Sequence, residues 1–278
     1  MNSKIIVDSC VDFHKSLSDI EVPLSRVPFK LTIGGVEIVD DGTSSMHEIL
    51  SRMKKSKEKV TTACPSPAEF MNEIDPNKHN YIITISSKLS GSYNSAMVAK
   101  NSVKLGESGS VDIIDCKSAS AGENLVVLKV YDMIVNGFER EKIVEEANKF
   151  VSRLKTRFVL NSLDNLAKNG RINNISAILG RFLHIVPVMC DNGNGEIGLK
   201  EKVRGRGAAI TRLRNIIETE ALESGSKVLA ITHINAKDVA KKIRNEIIRK
   251  DIFKEILIFD ASGLSTVYGD DGGIIVAY

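Results

Sequence analysis

Short apolar runs alternate with amphipathic segments along the first half of the chain, and this alternation predicts an α/β fold. Residues 81–85 form a β-branched and aromatic run that is typical of a buried strand. Residues 141–154 place apolar side chains on one stripe at helical spacing, which predicts an amphipathic helix. Strands and helices that alternate in this way form a sheet covered on both faces. We therefore expect ligand sites at the carboxyl ends of the strands.

The hydrophobic pattern changes near residue 155. Beyond this point two extended segments, residues 185–190 and 197–203, flank the sequence DNGNGE, which predicts a hairpin turn. A helix is expected just before them, at residues 175–183, and strands and helices alternate again after them. The sequence therefore predicts two α/β domains, residues 1–155 and residues 156–278, with the second built around a hairpin.

The turn after the buried strand carries four serines, Ser86, Ser87, Ser90 and Ser92. A helix is expected to begin directly after it, and the free N–H groups at a helix N-terminus attract anions. Gly91 has no Cβ, so a ligand can approach the backbone closely there. The turn is typical of an anion-binding site, and equally of a serine-capped helix with an ordinary polar loop.

A second polar stretch, Thr62-Ala63-Cys64-Pro65-Ser66-Pro67, is made stiff by its two prolines. Ser66, followed by Pro67 and Glu69, predicts a capped helix start. The threonine side chains of this loop are therefore expected near a fixed point in space. A ligand contact and a rigid connection without a ligand both fit this pattern.

Composition and charge exclude several classes of protein. The 278 residues are 42% hydrophobic and 26% charged, which is an ordinary globular composition. A net charge of +3 is too small to predict nucleic-acid binding, and no run of about 18 apolar residues predicts stable membrane insertion. The first residues enter a strand without the apolar region of a signal peptide. The four cysteines lack C-x-x-C spacing, so we expect a cytoplasmic protein with reduced thiols.

The sequence contains no motif of a common catalytic or metal site. G-x-S-x-G, H-E-x-x-H and the Walker sequence are absent, and no histidine or cysteine spacing predicts a metal ion. We therefore expect no metal and no cofactor. An acid–base carboxylate pair stays open, drawn from Asp8, Asp12, Asp270 and Asp271.

Basic side chains cluster after the predicted hairpin, at Lys200, Lys202, Arg204 and Arg206. A glycine follows each arginine, which leaves the guanidinium groups free to bind a phosphate or an acidic partner. A solvated surface turn is the alternative. Nucleic acid fits poorly, because no aromatic residues lie among the basic ones.

Several motifs in one order make the chain, from Lys4 to Tyr278, resemble the DegV proteins, a bacterial family that binds fatty acids. The motifs that carry the resemblance are Asp8-Ser9-Cys10-Val11-Asp12, Thr62-Ala63-Cys64-Pro65-Ser66-Pro67, Ile85-Ser86-Ser87-Lys88-Leu89-Ser90-Gly91-Ser92-Tyr93, Asn169-Gly170-Arg171-Ile172, Leu179-Gly180 with Ile185-Val186-Pro187, and Glu201-Lys202-Val203-Arg204-Gly205-Arg206.

The resemblance implies two α/β domains with a lipid tunnel between them that holds a long-chain fatty acid. In the family the carboxylate is held by the threonine of T-x-x-P-S and by the serine before glycine in S-S-x-L-S-G. Those residues are Thr62 and Ser90 in this sequence, and the N–H of Gly91 is expected beside them.

Four further residues are implicated in the surroundings of the headgroup or in docking of a partner. Arg171, Arg204 and Arg206 match basic positions of the family. Tyr268 begins Tyr268-Gly269-Asp270-Asp271-Gly272, where many relatives have His-Thr-Gly-Pro-Gly. A second departure is Cys64, which stands where glutamine is usual.

Family members of this kind are the non-catalytic, acyl-carrying subunits of a fatty acid kinase. The kinase phosphorylates the bound carboxylate to an acyl-phosphate, which is used for phospholipid synthesis. The resemblance therefore implies a lipid carrier with a kinase partner. Two alternatives stay open: an enzyme that acts on a small anionic substrate at the same site, and a regulatory protein that senses acyl chains and docks through the basic cluster.

Overall fold

The computed structural model describes residues 2–12, 21–172, 185–224 and 228–278. The strands are β1 (Ser3–Asp8), β2 (Leu24–Val27), β3 (Lys30–Ile33), β4 (Val36–Val39), β5 (Thr61–Ala63), β6 (His79–Thr84), β7 (Ser110–Asp115), β8 (Thr156–Val159), β9 (Ile185–Asp191), β10 (Ile197–Arg204), β11 (Val228–His233), β12 (Glu255–Asp260) and β13 (Ile274–Ala277). The helices are α1 (Met46–Lys55), α2 (Pro67–Glu73), α3 (Ser92–Ser102), α4 (Ala121–Val135), α5 (Arg140–Arg153), α6 (Asp164–Lys168), α7 (Arg206–Ser224), α8 (Lys237–Ile248) and α9 (Gly263–Gly269).

The strands form three sheets, and the predicted α/β class is confirmed. The first sheet is parallel and has the order β2-β1-β6-β7. The second has the order β10-β9-β8-β13-β11-β12, in which β11 and β12 pair in parallel and the other neighbours pair antiparallel. The third is a small antiparallel sheet of β4, β3 and β5.

Several local predictions are confirmed. The dipeptide Gly34-Gly35 between the runs 28–33 and 36–40 predicts a hairpin turn, and these glycines join β3 to β4 with left-handed φ angles of 58° and 73°. Ser66 and Glu69 form the predicted capping box at the start of α2, where each side chain accepts a hydrogen bond from the other residue's backbone N–H. The predicted hairpin forms between β9 and β10.

Helix α4 lies between the first and second sheets. It contacts β1 and β6 on one side and β11 and β13 on the other. Its side chains are apolar around most of the circumference, and residues such as Val126, Val127 and Val130 are fully buried. A helix that is apolar on all sides is stable only when it is covered on all sides. The sequence of α4 therefore fixes the helix at the centre of the molecule.

Helix α9 forms within the glycine-rich stretch 260–273. Ser262 caps it by accepting a hydrogen bond from the N–H of Ser265. Leu264 and Val267 of α9 are buried in one cluster with Leu31 of the third sheet. Tertiary packing against the small sheet, rather than intrinsic helix propensity, stabilises this helix.

The division into domains at residues 155 and 156 stays a prediction. All strands of the first and third sheets precede this point, and all strands of the second sheet follow it. The largest core cluster nevertheless contains side chains from both sides, such as Val126 and Ala230. The predicted helix at residues 175–183, with the Leu179-Gly180 motif, lies outside the described residues.

Candidate ligand-binding site

A cavity of about 110 Å³ lies at the carboxyl ends of β1, β6 and β7, against the face of the second sheet. This volume is several times the ~10–15 Å³ that one water molecule requires. Most of its lining is apolar, from Phe29, Ile85, Leu89, Ala119, Phe158, Leu160, Leu166, Ile197, Leu264 and Ile275. A pocket with an apolar wall and a few convergent polar groups is typical of a small-molecule site.

Three hydroxyl-bearing side chains, Thr62, Ser90 and Tyr268, line the cavity, and we call this region the hydroxyl end. Oγ1 of Thr62 lies 2.8 Å from Oη of Tyr268, at hydrogen-bond distance. Oγ of Ser90 accepts a hydrogen bond from the N–H of Ser92 at 3.2 Å. Ser90 therefore keeps its own O–H proton for another acceptor. The structure brings these three predicted residues to one cavity.

The other serines of the hydroxyl-rich turn bind groups of the protein itself. Ser86 donates to the carbonyl of Gly195 at 2.6 Å, Ser87 donates to Asp115 at 2.5 Å, and Ser92 donates to Asp8 at 2.6 Å. These three hydroxyls therefore donate their protons to the protein and not to a ligand. Of the four, it is Ser90 that lines the cavity.

Gly91 is the N-cap of α3, and it does not line the cavity. A Cβ at this position would lie 3.1 Å from Sγ of Cys64, closer than an ordinary contact. The glycine thus lets the loop that carries Cys64 pack against the start of α3. Donation from the N–H of Gly91 to a carboxylate stays a prediction.

Arg171 lines the cavity next to the hydroxyl end. Its guanidinium donates to the carbonyl of Leu89 at 3.1 Å, and also to the carbonyl of Asn169. Gly170, with a φ of 78°, ends the turn after α6 and directs the chain into Arg171. The guanidinium is therefore fixed in place by backbone acceptors while its positive charge faces the cavity.

The two arginines of the basic cluster do not line this cavity. Arg204 ends β10 and is exposed. Arg206 begins α7, and its guanidinium donates to Asn161 and to the carbonyl of Gly272. The prediction that both guanidinium groups are free is therefore wrong for Arg206. Lys200 also has a partner, Glu220, at 2.8 Å.

Three buried carboxylates hold the loops around the cavity. Asp8 accepts hydrogen bonds from the N–H groups of Cys10 and Ile85 as well as from Ser92. Asp12 accepts from Ser120 at 2.5 Å, from Thr232 at 2.9 Å and from the N–H of Ser262 at 2.7 Å. Asp40 accepts from Ser9 and from the N–H groups of Gly263 and Leu264. Burial raises the pKa of Asp8 to about 6 and also raises the pKa of Asp40.

The four acidic residues from which the sequence left a carboxylate pair open each accept hydrogen bonds from other groups of the protein. Asp8 and Asp12 bind the loop donors just described, whereas the carboxylate of Asp271 accepts from the side chain of Asn235. Asp270 has a φ of 56° and caps the end of α9. The hydrogen bonds of Asp8 and Asp12 in the described part of the chain serve to join loops.

The loop after β7 supplies cavity residues that the sequence did not predict. Ser118 and Ser120 line the cavity, together with Thr156 of β8. Ser120 has a φ of 54°, which is unusual for a residue with a side chain, and its bond to Asp12 holds it there. The spacing Ser118-x-Ser120-x-Gly122 between a strand and a helix was the available signal for a sharp turn.

The side chains of β8 that line the cavity show along which element the cavity runs. Thr156, Phe158 and Leu160 alternate along this segment, and all three line the cavity. Leu160 belongs to the cluster of side chains that packs with Tyr268 at the hydroxyl end. Thr156 lies four residues away, or about 13 Å along a strand. The cavity therefore runs along β8 from the hydroxyl end to Thr156.

Comparison with known proteins identifies the family. A profile of the DegV family of uncharacterised proteins matches residues 2–277. The chain belongs to the DegV family. A DegV domain-containing protein of Streptococcus pyogenes serotype M18 is 31% identical over 283 residues, which cover 100% of this chain and 99% of the relative. The resemblance predicted from the motifs is confirmed.

Solved DegV structures share the fold over the whole chain. A DegV family protein of Ruminococcus gnavus, refined with vaccenic acid, is 34% identical, with a TM-score of 0.92 over 100% of both chains. The Fatty Acid Kinase (Fak) B3 protein of Streptococcus pneumoniae, loaded with linoleic acid, is 27% identical, with a TM-score of 0.87 over 100% of this chain and 99% of the other. A DegV protein of Eubacterium eligens, loaded with heptadecanoic acid, is 25% identical, with a TM-score of 0.88 over 99% and 98% of the two chains.

No helix in the described ranges is both long and apolar enough to cross a membrane. Among the same residues, no group of three or more histidine, cysteine or acidic side chains is arranged to hold a metal ion.

Proposed function

We propose that this DegV protein binds a long-chain fatty acid and presents its carboxylate to a fatty acid kinase in the cytoplasm. One observation carries the proposal: an apolar cavity ends at hydroxyl groups that keep donor capacity for a ligand. The acyl chain occupies the part of the cavity lined by Phe158 and Leu160. The carboxylate lies at Thr62 and Ser90, with the N–H of Gly91 as a further donor.

The hydrophobic effect supports a long chain. Burial of a 16-carbon tail contributes on the order of 10 kcal/mol before the costs of ordering, at about 0.8 kcal/mol per methylene. The carboxylate loses water at the same time, which costs several kcal/mol unless donors replace the water. The hydroxyl of Ser90 is one such donor, since its oxygen already accepts from Ser92.

The position of Arg171 supports phosphorylation by a partner. Its guanidinium donates to two backbone carbonyls, which use two of its five N–H donors, and its charge attracts the carboxylate. A carboxylate held by hydroxyl donors keeps more of its nucleophilicity than one clamped by a bidentate arginine. We propose that the protein itself is non-catalytic and that Arg204, which is exposed, lies on the docking face for the kinase.

The two predicted domains both contribute to this site. Thr62 and Ser90 come from residues 1–155, whereas Arg171 and Tyr268 come from residues 156–278. We propose that the tunnel runs between these two parts of the chain. The Fak B3 protein and the other structural relatives carry a fatty acid in their solved structures, which supports the proposal.

The proposal is tested by recovery of bound lipid. The purified protein is expected to show a long-chain fatty acid by native mass spectrometry, and organic extraction should release it. The double variant Thr62→Ala/Ser90→Ala should bind at least a hundredfold more weakly, since a hydrogen bond to a charged group contributes about 1.5–3 kcal/mol. The matched control Thr61→Ala/Ser95→Ala changes neighbouring residues that do not line the cavity.

Two outcomes would contradict the proposal. Unchanged lipid content in the Thr62/Ser90 variant would refute the carboxylate site. Turnover of a small anionic substrate by the protein alone would favour an enzyme. With a fatty acid kinase and ATP, acyl-phosphate should form on the lipid-loaded protein and not on the double variant.

A further inference from the structure

Two hydroxyl groups meet at the end of the cavity opposite the hydroxyl end, beside Lys117 and Asp191. Oγ of Ser118 lies 2.6 Å from Oγ1 of Thr156, at hydrogen-bond distance, and both side chains are only 6% exposed. The two residues belong to the loop after β7 and to the first position of β8. Their bond therefore joins two parts of the chain at this end of the cavity.

No space lies behind this pair on the side of α4. A Cβ at Gly122 would lie 2.0 Å from Oγ of Ser118 and 3.0 Å from Oγ1 of Thr156. Distances this short show that the hydroxyls already fill the space up to the glycine backbone. An acyl chain cannot pass the pair in this direction.

The pair is also held in place by other hydrogen bonds. The carbonyl of Ser118 accepts from the N–H of Ser86 at 2.8 Å, and the N–H of Thr156 donates to the carboxylate of Asp191 at 2.7 Å. Asp191 is in turn paired with Arg157 at 2.7 Å. These two side chains, which we call the wall, are therefore anchored rather than mobile.

We propose that Ser118 and Thr156 set the maximum length of the acyl chain that this protein accepts. Each methylene buried before the wall raises affinity by about fourfold. A longer chain must separate the two hydroxyls, and a buried hydroxyl left unpaired lowers affinity by about five- to 150-fold. The gain from one more methylene is therefore smaller than the loss, and affinity stops rising at the chain length that reaches the pair.

This inference rests on the proposed fatty-acid function, and the two can be tested separately. Dissociation constants are measured for saturated fatty acids that increase by one carbon, from ten to twenty carbons, with the full-length protein. Affinity should rise with length and then fall after one length. Absence of binding to every acid would refute the proposed function, whereas binding that keeps rising to the longest acid would refute the length limit alone.

Two variants should move the limit in opposite directions. Ser118→Ala/Thr156→Ala removes both hydroxyls, and the length of highest affinity should increase by about one step of the series. Thr156→Ile suits a β-strand and adds bulk beside a backbone that leaves no room behind it, so the optimum should decrease by about one step. The opposite shifts keep the test decisive if one variant fails to fold.

Thr84→Ala is the matched control. Thr84 is fully buried at the end of β6 and does not line the cavity, so its loss perturbs the core without touching the wall. The chain length that Thr84→Ala binds with highest affinity should equal that of the wild type. An optimum that shifts equally in all three variants, or in none of them, would overturn the assignment of Ser118 and Thr156.

Discussion

Two sets of polar groups surround the cavity, and they differ in what they bind. The carboxylates of Asp8, Asp12 and Asp40 are buried, and they accept hydrogen bonds from the protein's own loops. The hydroxyls of Thr62 and Ser90 line the cavity and retain hydrogen-bonding capacity. Buried polar groups are stabilising when protein donors satisfy them. The comparison predicts that changes in the first set affect stability, whereas changes in the second affect binding.

Asp40→Ala should cause the largest loss of stability. Asp40 accepts from two N–H groups at the start of α9 and from Ser9, and it pairs with Arg26 at 3.4 Å. Removal of one partner of a buried ion pair typically costs about 3–5 kcal/mol. The free energy of unfolding, measured with urea, should fall by this amount.

Asp41→Ala is the control for that measurement. Asp41 is exposed, and its carboxylate binds the neighbouring Thr43. A change at such a surface position usually stays within about 0.5 kcal/mol. Equal losses for Asp40 and Asp41 would contradict the distinction between structural and surface carboxylates.

The pH dependence of stability should carry a contribution from Asp8. Burial raises the pKa of Asp8 from 3.8 to about 6, so between these values the folded state holds a proton that the unfolded state has lost. Stability from this group is therefore complete below pH 3.8 and is lost as the pH rises through 6, by about 3 kcal/mol.

The variant Asp8→Asn isolates this contribution. Urea unfolding of wild type and variant from pH 3.5 to pH 7 gives two curves, and their difference cancels the other titrating groups. Between pH 3.8 and 6, the free energy of unfolding should fall more steeply with pH for the wild type than for the variant. Parallel curves would show that Asp8 titrates alike in the folded and unfolded states.

Tyr268→Phe should have a smaller effect, and on binding rather than on stability. The variant keeps the ring and removes Oη, which lies 2.8 Å from Oγ1 of Thr62. Loss of one neutral hydrogen bond costs about 0.5–1.5 kcal/mol, and fatty-acid affinity should fall by a corresponding two- to tenfold. The control Tyr93→Phe changes a tyrosine outside the cavity lining and should leave affinity unchanged.

The sequence predicts features that depend on neighbouring residues. The Gly34-Gly35 turn and the Ser66–Glu69 capping box each form within a few positions along the chain. The residue types that favour this turn and this cap lie close together in the sequence, so both features could be predicted from it. The resemblance to the DegV family predicted the rest of the fold, because the family's motifs occur in order along the chain.

Features that depend on distant partners could not be predicted in the same way. Ser87 and Ser90 are equivalent in the sequence pattern. The hydroxyl of Ser87 nevertheless donates to Asp115, 28 residues away, whereas Ser90 lines the cavity. Arg206 looks as free as Arg204 in the sequence, but it binds Gly272, 66 residues away. The Ser118–Thr156 wall joins residues 38 positions apart. Such contacts are fixed only by tertiary packing.

Arg204→Ala should have the smallest effect on the protein alone. The side chain is exposed at the end of β10, so stability should change by less than about 0.5 kcal/mol, and lipid content should stay the same. The rate of acyl-phosphate formation with a fatty acid kinase should fall, because the variant removes a charge from the proposed docking face. Arg204→Lys keeps a positive charge without the guanidinium fork, and it should retain more of this rate than the alanine variant. An alanine variant that is phosphorylated at the wild-type rate would exclude Arg204 from docking, while leaving the proposed fatty-acid site at Thr62 and Ser90 untouched.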